Sequence, residues 1–156
     1  LTAMGNFIFN RSKGRFVEFA ERINANDPTN SILSLAIWNT ATADSTLIDL
    51  DTIAAIEADG GTAEVANSGY ARKTFADSTI TITYDDTNDR VDLDVADQTW
   101  TAVAAGTAWT DASFGYDSDS TAGTDANVLP VSWHDFAVTP DGSDITATIA
   151  VFARAA

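Results

Sequence analysis

The sequence predicts a mainly β fold: an antiparallel β-sandwich or barrel-like domain with one or two short helices and an extended N-terminal arm. Three observations predict it. Several short runs alternate apolar and polar residues with period two, the spacing of strand faces. Clusters of Pro, Gly, Asn and Asp punctuate those runs where a chain must turn. Helical spacing extends over two full turns in one place only, Phe16–Asn24, with Phe16, Phe19, Ala20 and Ile23 on one stripe. At 156 residues the chain is one domain's worth and large enough to bury a core.

In chain order, residues 1–15 read as an arm and 16–156 as the single β-rich domain. Met4 is a more natural start than Leu1, so the first three residues read as a cloning scar or an upstream extension. The arm holds Arg11, Lys13 and Arg15 and no acid. The other five basic residues stand against all 23 acids. Phe7, Ile8 and Phe9 are too apolar for a free tail and predict docking, onto a neighbouring subunit or a partner. After the helix, Asn26-Asp27-Pro28 stops the chain from continuing it. Residues 31–38 (SILSLAIW) form a short apolar run bounded by turn residues, as a buried strand would. Asp51 is placed to cap a second helix over 52–58, ended by Gly60, with a loop over 60–68.

Residues 70–75 read as a strand bearing the only basic pair of the acidic body, Arg72 and Lys73. Residues 78–95 read as a hairpin. Ile80, Ile82 and Tyr84, then Val91, Leu93 and Val95, share one face, and Thr, Asp92 and Asp94 share the other. A one-residue slip would bury two aspartates, so the register is firmly set. Residues 100–109 read as strand or loop, 112–116 as a strand and 117–127 as a polar loop. Residues 128–154 read as a closing hairpin about Thr139-Pro140-Asp141-Gly142.

Composition narrows the function. A net charge of −15 disfavours nucleic acid and anionic membrane as partners, because phosphate contacts need Lys and Arg. No apolar run approaches the ~18–20 residues of a membrane helix. The basic residues follow the apolar ones near the N-terminus, the reverse of a secretory signal. With no Cys there is neither a disulfide nor a thiolate metal site.

No motif carries catalysis. Asp117, Asp119 and Asp125 make a candidate calcium loop, but Ala122 and Val128 stand where an EF-hand places Gly and the bidentate Glu. A solvated acidic loop accounts for them better, and no metal or other cofactor is expected. His134, the single His, shares a strand face with Ser132 while Asp135 points away, so no triad forms. Four Trp and three Tyr invite a sugar-platform reading, although core burial is the commoner fate of such rings. The chain is not expected to be an enzyme.

Three stretches together resemble a family of small tailed-bacteriophage structural proteins: GYARKT (69–74), YDDTNDRVDLDVADQTW (84–100) and GTDANVLPVSWHDFAVTPDGSDI (123–145). NFIFNRSKGR ahead of a helix is similar to that family too. The resemblance implies a virion component, with capsid decoration (cement protein) the leading role. Its expected partners are the major capsid protein on the capsid exterior and further copies of itself, as a homotrimer or another small symmetric oligomer. The contacts expected are Phe7, Ile8, Phe9, Arg11, Lys13 and Arg15 on the arm and Tyr70, Arg72 and Lys73 on the body. The alternatives are a tail-associated module that binds host glycan, or a tail-tube or head-completion protein. The family supplies no catalytic residues.

Overall fold

The computed structural model describes residues 7–156. The expectation about Leu1 and Met4 falls outside the described residues. The fold is mainly antiparallel β and sandwich-like, with three short helices among the described residues. Its centre is a six-stranded sheet in which β1 (Phe7–Ile8), β9 (Leu129–Val138), β8 (Trp109–Asp117) and β2 (Ile32–Thr40) lie side by side. β3 (Thr62–Glu64) and β4 (Lys73–Phe75) both pair with β2 along its far edge.

Both faces of this sheet are dry. Along β2, Leu33, Leu35 and Ile37 enter one apolar cluster, while Ala36 and Trp38 enter another on the opposite face. That explains why 31–38 reads as a continuous apolar run: a strand covered on both sides has no face to leave polar. The first face is covered by α1 (Phe16–Asn24), whose Phe16, Phe19, Ala20 and Ile23 are buried as the helical stripe predicts. Phe19 stacks on Tyr116 of β8 at 4.4 Å between ring centroids. Two small sheets complete that layer: β5 (Thr81–Asp85), β6 (Arg90–Asp94) and β11 (Ala153–Ala155), then β7 (Gln98–Trp100) with β10 (Ile145–Ala147). The second face is covered by α2 (Asp44–Leu47), α3 (Ile53–Glu57) and the aromatic residues at 7 and 9. Close packing sets one glycine: a side chain at Gly115, on β8, would come within 3.0 Å of Val128 Cγ1.

The hairpin over 78–95 forms with the expected register, Ile82 opposite Leu93 and Tyr84 opposite Val91. Four expectations need correction. The closing hairpin does not form. Its turn is present, with Gly142 at φ 99° and Asp141 Oδ1 accepting from the Ser143 N–H at 3.0 Å. The strand after it, however, pairs with β7 rather than β9, and β11 pairs with β6. The cause is non-local. Val103 accepts from the Gly142 N–H and donates to the Ser143 carbonyl, while Asp144 Oδ1 accepts from the Ala102 N–H, so the chain is drawn toward 100–103. The loop at 60–68 contains β3, because Thr62 and Ala63 extend the pairing of Thr40 and Asn39. The helix at 53 is capped by the Thr52 hydroxyl, which accepts from the Ala55 N–H, and not by Asp51. The short α2 was not expected; it exists to seat Leu47, fully buried in the second cluster.

Candidate functional site

The described part of the arm is built into the chain's own sheet. Phe7 pairs with Trp133 and Ile8 with Ser132. The Phe9 N–H donates to the Val131 carbonyl at 3.0 Å, and its ring is fully buried. Phe7 stacks on Trp133 at 6.3 Å, and Trp38 stacks on the same indole at 5.9 Å. The docking that Phe7, Ile8 and Phe9 call for is thus supplied within the chain.

After Phe9 the backbone closes a tight turn. The N–H groups of Ser12 and Lys13 both donate to the Phe9 carbonyl, and Arg15 N–H donates to the Ser12 carbonyl. Gly14 sits at φ 77°, in the left-handed region that side chains disfavour. The turn is pinned from beneath. Ser12, fully buried, donates its hydroxyl to the Pro130 carbonyl at 2.6 Å, and Asn10 N–H donates to the Ile48 carbonyl at 3.0 Å.

Arg11, Lys13 and Arg15 project from this anchored turn and are exposed. Among the described residues none of them is paired with a carboxylate. Lys13 donates to the Asn10 side-chain oxygen at 2.6 Å, and the Arg15 guanidinium lies 4.8 Å over the Phe19 ring. Four of the five body cations are treated differently, the exception being Lys73, which meets a backbone carbonyl. Arg22 pairs with Glu18, Arg90 with Asp85 and Asp92, and Arg154 with Asp92. Three cations without a carboxylate partner among the described residues, on an anchored turn of a strongly acidic protein, are the clearest electrostatic feature of the described surface.

The three body residues expected as contacts lie elsewhere and are engaged internally. Arg72 bridges Glu64 at 2.6 Å, Glu57 at 3.0 Å and Asp125 at 2.5 Å. It thereby ties β3, α3 and the loop at 117–127 together. Tyr70 donates its hydroxyl to Glu64 at 2.6 Å and accepts the Ile37 N–H at 3.0 Å. Burial and the Glu64 carboxylate hold that phenol well above its ordinary range. Burial and the neighbouring Asp125 raise the Glu57 carboxyl, whereas hydrogen bonds from Arg72 hold Asp125 below the usual range. Lys73 donates to the Thr99 carbonyl at 2.8 Å and lies 5.4 Å over the Trp100 ring. The basic pair is therefore a clasp across the acidic body.

The calcium candidates do not converge. Asp125 faces Arg72, while Asp117 and Asp119 accept N–H groups of their own loop, from Asp119 and Thr121. Among the described residues no group of three or more acids or His is placed to hold a metal ion. Ser132 and His134 do meet, Oγ to Nε2 at 2.9 Å, but both are buried in the sheet against Phe114. Burial drives the His134 pKa down to about 4, against the weaker pull of the Phe152 backbone and the Asp135 charge. A neutral, enclosed imidazole of this kind has no route to a substrate. All four Trp are at most 2% exposed, and each indole N–H is spent on an internal acceptor. Tyr84, at 58%, is the exposed large apolar side chain among the described residues.

Comparison with protein-family models, with curated proteins and with solved structures finds no match to this chain.

Proposed function

We propose that this chain is a virion structural protein, a decoration or cement protein that sits on the outside of a phage head and ties neighbouring capsid subunits together. The single observation that carries the reading is the anchored basic turn. Arg11, Lys13 and Arg15 are exposed, carried on a backbone turn that is hydrogen-bonded to the sheet, and unmatched by any carboxylate among the described residues, on a chain of net charge −15. A turn built this way suits an acidic patch on a partner, and the negative remainder of the surface keeps the protein from binding other copies indiscriminately. The resemblance of 69–74, 84–100 and 123–145 to small tailed-phage structural proteins supplies the virion setting.

Burial of the four Trp weighs against a sugar platform built on them and leaves, among the described residues, the exposed Tyr84 ring for a glycan-binding tail module. Immunogold labelling of intact virions separates the readings. Label over the whole head surface is the expected result. Label confined to the tail or to one vertex would replace decoration with the tail or head-completion role.

A further inference from the structure

The three-stranded sheet ends at β5 in an edge with no further strand paired to it among the described residues. Leu93 lies opposite Ile82, and its carbonyl accepts from the Phe152 N–H on the β11 side. In an antiparallel ladder one residue's N–H and C=O point the same way, and successive residues alternate. Asp92 and Asp94 therefore turn toward β5, where they lie opposite Thr83 and Thr81. Ile82 and Tyr84 of β5 aim their backbone groups away from β6. Ile80 aims the same way but is capped: Asn24 donates to its carbonyl at 2.7 Å and accepts its N–H at 3.1 Å. Ile82 and Tyr84 have no such cap among the described residues. The run TITITY at 79–84 has high β-propensity, no charge and no Pro, the sort of edge that recruits another strand.

We infer that this edge pairs with the same edge of a second copy, antiparallel, across a twofold axis at Thr83. The pattern is self-complementary. The two outward-facing residues are separated by Thr83, so the axis places Ile82 of each copy opposite Tyr84 of the other and closes two pairs of backbone hydrogen bonds. The Tyr84 ring, 58% exposed although its hydroxyl donates to Glu21 of its own copy at 2.6 Å, then lies against a half-buried Ile82, an aromatic and β-branched cross-strand pair. Asp85 meets Thr81 rather than a second carboxylate. Pairing ends where Asn24 caps Ile80. Arg22, in the last turn of α1 beside that cap, is brought toward the acidic turn at Asp85 and Asp86 of the other copy. The symmetry is twofold, which falls under the small symmetric oligomer expected as the alternative to a homotrimer. The contact is small, so the dimer is weak in dilute solution. Because each copy carries −15, it tightens as salt rises, opposite to the behaviour expected of the basic turn. This inference stands apart from the virion reading, and either can fail alone.

The chain has no cysteine, which allows a direct test of register. Thr83 faces its own copy across the axis in a non-hydrogen-bonded pair, with Cβ atoms about 4.5–5.5 Å apart, close enough for a disulfide after a slight shift. Thr81, exposed like Thr83, faces Asp85. Full-length Thr83→Cys and Thr81→Cys proteins are oxidised side by side, and the wild type is followed by sedimentation equilibrium over concentration and salt. The expected result is a disulfide dimer from Thr83→Cys only, wild-type dimer favoured by salt, and loss of that dimer in Tyr84→Pro with unchanged circular dichroism. Equal cross-linking of the two cysteine variants, or a wild type monomeric at every concentration and salt, would overturn it.

Discussion

Phe9 and Trp133 meet in a T-shaped arrangement, with centroids 6.1 Å apart and planes at 78°. This contact fixes where the chain's basic turn begins, because the next residue to leave the sheet is Asn10. Anchoring and charge are thus divided between neighbouring residues: the aromatics hold, and Arg11, Lys13 and Arg15 face outward.

That division predicts separable effects on stability. Phe9→Ala empties a fully buried site and should cost about 3–5 kcal/mol in urea unfolding. Replacing Arg11, Lys13 and Arg15 together by Gln should stay within about 0.5 kcal/mol of wild type, as exposed substitutions do.

The Arg72 clasp should fail when its charge is removed. Arg72→Met leaves Glu57, Glu64 and Asp125 facing one another without a cation. With the side chain 26% exposed, solvent screening moderates the loss to about 2–3 kcal/mol. Arg72→Lys should recover only part of it, since one ammonium cannot serve three carboxylates as a planar fork does. The deficit should shrink as pH falls and the carboxyls become neutral. Urea midpoints at two pH values check both points.

His134 gives the fold a pH dependence of known sign. Its folded pKa, about 4, lies below the ordinary 6.5, so the unfolded chain takes up the proton first. Stability should therefore fall as pH drops from 6.5 toward 4, by up to on the order of 3 kcal/mol. His134→Asn should flatten that slope. The window lies mostly above the one in which the depressed carboxylates Asp85, Asp92 and Asp125 lose their contribution. Thermal melts across the window check it.

Much of the fold is legible in the sequence, where the signal is local. The stripe at 16, 19, 20 and 23 places α1, and the alternation over 78–95 gives a hairpin with its register. What local pattern does not carry is the choice of partner strand. The turn at 139–142 looks like the centre of a hairpin, yet Val103, far away in sequence, decides where the following strand goes. The candidate site follows the same rule. The lack of acid near Arg11, Lys13 and Arg15 is visible in the sequence, and so is the docking tendency of Phe7 and Phe9. Arg72 stands out as part of the body's one basic pair, but its carboxylates lie 8, 15 and 53 positions away, and no spacing announces that they converge.

The most direct measurement of the central claim is occupancy of the Arg11, Lys13 and Arg15 to Gln protein on capsids stripped of the wild type, read by quantitative electrophoresis of sedimented particles. The expected result is a folded variant of wild-type stability that no longer loads, and wild-type loading that weakens as salt screens the three cations. Undiminished occupancy by the variant, at low and high salt alike, would contradict it.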